Sequence, residues 1–221
     1  MTSRSALLSE PFETAVEITA HEGLIQGINS LFPCLYDLDD LVRWRAVSAL
    51  GVLVDRLARK NMEAARVIVR RLMWNLNDES GGIGWGSAET IAEILFLNEK
   101  LAGEYGNILL SYAMEDGNYL ELPQLQRGLI WGIGRFAGSS PGAVKPSSVE
   151  IRPYLHSPDT EVRGLSAWLA GLLRIEKAAD GLKLLVDEED CFLFYQDWEL
   201  HEKSVRKTAV EALRLISDSS L

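Results

Sequence analysis

The stretch Val42–Gly51, with the sequence VRWRAVSALG, is the first of three similar segments that begin with the dipeptide Val-Arg. The second is Val162–Gly171 (VRGLSAWLAG), and the third is Val205–Leu213 (VRKTAVEAL). In each segment the apolar and small residues recur at the spacing of a helix face. Self-similarity at a period of roughly forty residues is typical of stacked helical pairs. The chain is therefore predicted to be all-α, an α-α superhelix (solenoid).

Two further segments fill the gap between the first and second copies. Ile83–Ala92 begins 41 residues after Val42, and Leu125–Gly134 begins 42 residues after Ile83. Five second helices are thus expected to start near residues 42, 83, 125, 162 and 205. The corresponding first helices are expected over roughly 24–36, 63–76, 105–114, 144–156 and 178–186. Asp and Ser residues in the connections are expected to cap the second helices.

These five pairs predict a single repeat domain over residues 1–221. Its units are expected near 21–58, 62–98, 104–138, 144–174 and 178–217. An extra capping helix is expected over residues 10–20, after Pro11. The aromatic stretch at 191–200 alternates weakly around Gln196 and Asp197, which is compatible with a small β-hairpin inserted in the last unit.

The pattern Val-Arg-x-x-Ala-x-x-Ala-Leu-Gly after an Asp-bearing turn resembles the HEAT repeat, particularly the HEAT-like units of bacterial proteins. Val42–Gly51 matches it at every position, and Val205–Leu213 nearly so. The resemblance implies that a turn Asp bonds to a second-helix Arg across adjacent units. This inter-repeat structural role would fall to Asp39 (or Asp40) with Arg43, Asp159 with Arg163, and Arg206. Such ion pairs fix the stacking register more surely than they add net stability.

Composition narrows the classes of partner. Asp and Glu outnumber Lys and Arg by 32 to 22, which gives a formal net charge of −10. Since nucleic-acid binding takes most of its affinity from neutralised phosphates, a nucleic-acid partner is not expected. No apolar run is long enough for a signal sequence or a membrane span, so no membrane association is expected. The isolated Cys34 and Cys191 form no metal or redox motif and suit a reducing cytoplasm.

The helical period also predicts which residues face a binding groove. If each second helix is numbered from its first apolar residue, positions three and seven share one face, the expected concave wall. Position three is occupied by Trp44, Trp85, Arg127, Gly164 and Lys207. Position seven is occupied by Ser48, Glu89, Trp131, Trp168 and Glu211. The four indoles would either anchor a partner or fill gaps between repeats where small residues leave room.

Charged residues in the second and third units complete the candidate binding set. Glu89 and Glu93 lie four residues apart on one helix, and Arg127 and Arg135 lie on the next. Paired carboxylates suit acid–base chemistry or a metal, but with no nearby histidine a charged inter-repeat network is the simpler interpretation. The glycine-rich loop Asp78–Gly86 matches neither a P-loop nor a dinucleotide fingerprint. It is expected to pack closely or to line the mouth of the groove.

The candidate concave-face residues are therefore Trp44, Trp85, Glu89, Glu93, Arg127, Trp131, Arg135 and Trp168. We predict a non-enzymatic scaffold or adaptor, without cofactor or metal, that binds a protein or peptide partner on this face. The best-placed anchors are expected to be Trp85, Trp131 and Trp168, and the site is expected in the second and third units. The alternative class is an enzyme resembling the HEAT-like DNA glycosylases or the bilin lyases, which the fold resemblance alone implies.

Overall fold

A computed structural model describes residues 1–77, 84–139 and 142–218 of the chain. Over these residues the chain forms twelve α-helices, three short 3₁₀ helices and one two-stranded sheet. The mostly helical fold confirms the predicted all-α class, and the solenoid arrangement stays a prediction. The residues group into two compact units. Unit 1 comprises Met1–Gly106 with Asp197–Glu199, and unit 2 comprises Asn107–Gln196 with Leu200–Leu221.

The helices alternate with short turns along the whole chain. The first seven are α1 (Ser3–Ser9), α2 (Phe12–Ala20), α3 (Leu24–Leu31), α4 (Asp40–Lys60), α5 (Met62–Leu76), α6 (Ser87–Leu97) and α7 (Glu99–Ser111). The remaining five are α8 (Pro123–Ala137), α9 (Arg152–Leu155), α10 (Thr160–Leu172), α11 (Ala179–Leu185) and α12 (Val205–Ser217). The strands are β1 (Cys191–Gln196) and β2 (Glu199–Ser204). The 3₁₀ helices are Phe32–Tyr36, Pro146–Ser148 and Glu176–Ala178.

Most predicted helices are present, but the expected first helix over 144–156 is wrong. Only α9, of four residues, and the 3₁₀ turn Pro146–Ser148 form there, separated by extended backbone at Val149. Pro146 and Pro153 explain this, since proline lacks the N–H of a helix interior and disfavours helical backbone in the residue before it. The short helix α1 was not predicted from the sequence. The expected start of a helix at residue 83 lies outside the described residues, and α6 begins at Ser87.

The core of unit 1 is built around α4, the longest helix of that unit. It contacts α1, α2, α3, α5 and α6. Its N-terminus is capped by Asp39, whose carboxylate accepts hydrogen bonds from the N–H groups of Leu41 (2.9 Å) and Val42 (3.3 Å). Gly51 allows α6 to approach, because a Cβ there would collide with the side chain of Glu93. The Asp cap expected at the start of this helix is therefore present, and the small residue Gly51 lies where α6 contacts it.

The core of unit 2 is built around α10, which contacts α8, α9, α12 and β1. Asp159 caps it by accepting a hydrogen bond from the N–H of Val162 at 3.1 Å. Two glycines of α10 let its neighbours approach closely. A Cβ on Gly164 would overlap the ring of Phe192 in β1, and a Cβ on Gly171 would meet Ala212 of α12. Each glycine therefore marks a place where another element lies directly on the helix.

The two strands form the predicted hairpin, with Asp197 and Trp198 as its two central turn residues. Both have positive φ, of 51° and 63°, as a type I′ turn requires. Within unit 1, the Trp198 ring stacks on Phe12 with centroids 4.8 Å apart, and Arg45 Nε donates to the Trp198 carbonyl at 3.1 Å. Stacking and hydrogen bonding thus hold a residue type that seldom adopts this conformation.

Candidate functional site

In unit 2, strand β1 covers much of the face that the helical period predicts to be concave. Phe192 lies on Gly164, at position three of α10. Phe194 meets Trp168, at position seven of α10, edge to face with centroids 4.9 Å apart. Tyr195 lies beside Trp131, at position seven of α8, with centroids 6.0 Å apart. The predicted binding face of these two helices is therefore occupied by the hairpin of the same chain.

Trp131 is consequently a core residue, and the prediction that it anchors a partner is wrong. Its side chain is only 4% exposed, and its indole N–H donates to the main-chain carbonyl of Tyr195 at 3.0 Å. A buried indole whose donor is already satisfied fixes the position of β1. Burial agrees with the packing interpretation of the indoles, although both the ring and the N–H of Trp131 contact Tyr195 of β1.

The side chain of Trp168 is packed on one side and exposed on the other. Its six-membered ring lies on the backbone of Gly134 in α8, where a Cβ would collide with it. The side chain nevertheless stays partly exposed, and it lines a cavity beside α12. Of the two indoles on this face of unit 2, Trp168 is the one that a ligand can still reach.

The candidate residues of unit 1 differ in how deeply they are buried. Trp44, Trp85 and Glu89 are partly buried, whereas Glu93 is only 3% exposed and is therefore wrongly placed on an open surface. The guanidinium of Arg43 lies 5.9 Å from the centre of the Trp85 ring. Burial raises the pKa of Glu89 to about 7, against the opposing effects of its own backbone N–H and of Arg43.

Two arginines of unit 2 pair with acidic residues near the start of a later element. Arg127 binds Asp159, with Nε 3.0 and 3.1 Å from the two carboxylate oxygens, and its Nη1 lies 2.8 Å from Glu161. Arg163 binds Glu188 through Nε, at 2.9 and 3.1 Å. The predicted pair of Asp159 with Arg163 is wrong, because both residues are engaged with these other partners. Arg127 is thus a structural residue rather than an open ligand contact.

The other predicted structural and charged residues are also engaged. Arg43 forms an ion pair with Asp40 one turn earlier in α4 and donates to the Asp37 carbonyl at 3.1 Å. Arg206 donates to the Val186 carbonyl at 2.9 Å. Arg135 is partly buried and has a partner of its own. Of the predicted loop Asp78–Gly86, residues 78–83 lie outside the described residues.

One cavity of unit 2 combines predicted face residues with charge, and we call it the Trp168 groove. Its volume is about 560 Å³. Its walls come from α10, the hairpin and α12. The lining residues are Ala167, Trp168, Gly171, Leu172, Cys191, Glu202, Lys203, Ser204, Lys207, Thr208, Glu211, Ala212 and Leu215. Three of them occupy predicted face positions, namely Trp168, Lys207 and Glu211.

The local sequence explains why α12 forms one wall of the groove. Strand β2 ends at Ser204, whose hydroxyl oxygen accepts a hydrogen bond from the N–H of Lys207 at 3.3 Å and so caps α12. The hydroxyl of Thr208 donates to the Ser204 carbonyl at 2.9 Å. Strand therefore passes directly into helix without a loop. This brings Lys203 at the end of the strand and Lys207 in the first turn of the helix to the same cavity.

Charge in the groove is only partly neutralised. Glu211 is paired with Arg214, whose Nη2 lies 2.7 Å from its carboxylate. In the part of the chain that the structure describes, no carboxylate lies within ion-pair distance of Lys203 or Lys207. The Lys203 ammonium lies over the Phe194 ring, 3.5 Å from its centre, and burial lowers its pKa. Glu202, exposed at the rim, is the one groove carboxylate without an ion pair among the described residues.

Cys191 provides a reporter at the edge of the groove. Its thiol is exposed at the start of β1, whereas Cys34 is buried. Partial burial and the neighbouring Glu202 raise the pKa of the Cys191 thiol. A ligand in the groove would cover this side chain, while the buried Cys34 lies in unit 1.

Two other cavities are slightly larger, but neither is lined by a Phe, Tyr or Trp side chain. One, of about 610 Å³ in unit 1, has at its rim an arginine that is already neutralised, because Arg4 binds Asp37 with Nε 2.6 Å from the carboxylate. The other, of about 680 Å³ in unit 2, is formed by connecting segments. Its charged lining consists of Glu115, Asp116, Glu150, Glu176, Arg174 and Lys177, so acids prevail. The Trp168 groove is therefore the best candidate site.

Sequence reasoning missed Lys203, Cys191 and Glu202 of this groove. All three lie in the hairpin, which the repeat register does not include. The signal that was available is the aromatic spacing of Phe192 and Phe194, since alternate residues of a strand share one face. Following that face along β2 leads to Lys203, whereas Cys191 and Glu202 lie on the opposite face of the hairpin.

Comparisons with known proteins support the fold alone. No protein-family model matches the sequence, and no curated protein sequence matches it. Among solved structures, the chain is similar to the crystal structure of an engineered protein from the Northeast Structural Genomics Consortium. The TM-score is 0.54 at 17% sequence identity, with 98% of this chain and 95% of that chain covered. No helix among the described residues is long and apolar enough to cross a membrane.

Proposed function

We propose that this protein is a non-enzymatic binding module that captures a segment of another protein in the Trp168 groove. We further infer that its helices form a HEAT-like solenoid of about five pairs in a single repeat domain. The successive pairs Arg127–Asp159 and Arg163–Glu188 support this arrangement, since each joins a second helix to the acidic turn that follows it.

The observation that carries the binding proposal is the composition of the groove. A partly exposed indole forms an apolar floor with Ala167, Gly171 and Leu215, and two lysines without ion pairs stand at its side. Interfaces take much of their energy from such aromatic anchors in concave sites, with polar groups that fix orientation. A cavity of about 560 Å³ accommodates a few side chains of a protein segment rather than a folded domain.

The alternative of an enzyme resembling the DNA glycosylases or bilin lyases has less support. A DNA-binding face needs many phosphate contacts, and this groove offers two lysines in a chain of net charge −10. One of the indoles that would contact a base, Trp131, is buried. A protein partner therefore remains the better proposal.

The test is a selection of random peptides on the immobilised full-length protein. Selected peptides are then measured on two variants of α12. Thr208→Trp puts an indole into the groove, whereas Val210→Trp adds the same bulk to an exposed position that does not line it. We expect the peptides to bind the wild type and Val210→Trp and to lose binding to Thr208→Trp.

Thiol modification locates the bound peptide independently. We expect the selected peptides to slow the reaction of Cys191 with a disulfide reagent, and Cys191→Ser gives the background from buried Cys34. Equal binding to both tryptophan variants, or an unchanged Cys191 rate, would place the peptides elsewhere and contradict the proposal. A selection that enriches no peptide would also contradict it.

A further inference from the structure

We propose that the segment bound in the Trp168 groove is acidic, with a carboxylate side chain that pairs with Lys203 and Lys207 while an adjacent apolar side chain lies on Trp168. This inference rests on the proposed function of the groove and names the chemistry of its partner.

The first argument is the state of Lys203 in the free protein. Its ammonium is partly buried against the face of Phe194, at 3.5 Å from the ring centre. The ring face attracts a cation, but it accepts none of the three hydrogen bonds that an ammonium can donate. Desolvation alone shifts the pKa of this group, downward, which agrees with the lack of a nearby carboxylate. An incoming carboxylate would supply the missing counter-charge and acceptor.

The second argument is the arrangement of the cations. Lys203 and Lys207 are four residues apart in sequence, one at the end of β2 and one in the first turn of α12. Both line the same cavity. The opposing charges are reduced, since Glu211 is engaged by Arg214 and only Glu202 at the rim is without an ion pair among the described groove residues. Among the described lining residues, two lysines without ion pairs therefore accompany one carboxylate without an ion pair, in a chain that is acidic overall.

The third argument concerns the range and chemistry of this charge. At physiological salt the field of charges beyond about 8 Å is largely screened, so the groove's own lysines and carboxylates set the local field more than the net charge of the chain does. Two point charges suit one carboxylate, whereas polyanions such as nucleic acids require many contacts along a backbone. Trp168 beside them adds an apolar contact that a protein segment supplies through its neighbouring side chain.

The experiment uses two synthetic peptides, one in which Leu alternates with Glu and one in which Leu alternates with Gln. Binding to the full-length protein is measured by tryptophan fluorescence and by protection of Cys191. We expect the Glu peptide to bind at least about tenfold more tightly than the Gln peptide. This preference should shrink as salt is raised.

Variants assign the preference to the groove. Lys203→Gln is expected to abolish most of the preference, and Lys203→Arg to restore part of it because the charge returns. Lys183→Gln removes an equal charge from an exposed position outside the groove, and it should change nothing. Unfolding curves of all variants verify that each is folded.

The outcomes separate this inference from the proposed function. If library-selected peptides protect Cys191 but show no preference for acidic residues, the groove binds segments and the acidic inference is overturned. The same holds if the Glu and Gln peptides bind equally, or if Lys203→Gln keeps the full preference. If no peptide of either origin protects Cys191, the proposed function fails together with the inference.

Discussion

The indole of Trp168 lies on the backbone of Gly134 so closely that the intervening space has no room for a Cβ. This relationship holds α8 and α10 together and turns the remaining edge of the indole toward the groove. The position of the groove floor therefore depends on a glycine in a neighbouring helix.

The first prediction concerns this contact. Gly134→Ala should displace Trp168, lower the free energy of unfolding by about 1–3 kcal/mol and change the tryptophan fluorescence of the native protein. Gly103→Ala is the matched control, because Gly103 lies on the exposed side of α7 and a Cβ there meets nothing within 4 Å. The control should be neutral or stabilising by up to about 1 kcal/mol. Equal stability of the two variants in urea unfolding would contradict the contact.

The second prediction concerns Trp131 as a core residue. Trp131→Ala should lower the free energy of unfolding by about 3–5 kcal/mol, since a large buried side chain is removed. Trp131→Phe retains most of the ring but loses the hydrogen bond to the Tyr195 carbonyl, and it should cost about 1–2 kcal/mol. Chemical denaturation measures both. Unchanged stability in Trp131→Ala would return Trp131 to the set of exposed candidates.

The third prediction concerns Glu89. Its pKa in the folded protein, about 7, is above the ordinary value of 4.5, so folding favours its protonated form. The unfolded state therefore ionises first, and this carboxyl makes the fold progressively less stable as pH rises from 4.5 to about 7. Glu89→Gln should remove this loss and stabilise the protein at pH 8 by about 1–3 kcal/mol relative to the wild type.

The pH profile of unfolding tests the assignment to Glu89. At pH 4 the variant and the wild type should have nearly equal stability, because Glu89 is protonated in both states. Glu121→Gln, at an exposed loop position, is the control and should leave the profile unchanged. If the free energies of unfolding of Glu89→Gln and the wild type differ by the same amount at all pH values, the effect does not arise from the titration of Glu89.

The fourth prediction separates the two tasks of Asp159, which caps α10 and binds Arg127. Asp159→Asn keeps the cap, since Asn is as good an N-cap as Asp, and loses the charge. Asp159→Ala loses both and should be less stable than Asp159→Asn by about 1 kcal/mol. If the two variants unfold at the same denaturant concentration, the cap contributes nothing measurable.

The charge of Asp159 should also make the free energy of unfolding depend on pH. Burial raises its pKa, but hydrogen bonds from Arg127 and from backbone N–H groups outweigh this and lower the pKa below the ordinary value of 3.8. Stabilisation from a depressed carboxyl pKa is present above the unfolded-state value and is lost as pH falls through the folded-state value. The difference in the free energy of unfolding between the wild type and Asp159→Asn should therefore become smaller below about pH 4.

The sequence pattern is most informative where a helix has one buried face. The Val-Arg segments correctly predict α4, α10 and α12, and Asp39 and Asp159 cap helices as expected. Helix α8 is different, because it is buried on nearly all sides. Periodicity cannot identify an open face on such a helix, and for this reason it wrongly predicts an exposed position for Trp131.

The groove could not be predicted from the repeat register because its walls come partly from outside the register. Strand β1 covers the expected concave face of α8 and α10, and β2 contributes Lys203. Contacts between a strand and a helix distant in sequence depend on tertiary packing that local patterns do not encode. The register predicts Trp168 as an anchor, and this indole lines the groove, whereas Trp131 and Arg127 of the third unit are engaged within the protein.

The most direct test of the account compares groove variants with unit 1 variants in one binding assay. Library-selected peptides are titrated against Lys203→Gln and Lys207→Gln, and in parallel against Trp85→Ala and Trp44→Ala. We predict that affinity falls about tenfold or more for the two lysine variants and stays within about twofold of the wild type for the two tryptophan variants. Loss of binding in Trp85→Ala or Trp44→Ala, with both lysine variants at wild-type affinity, would contradict the assignment of the Trp168 groove.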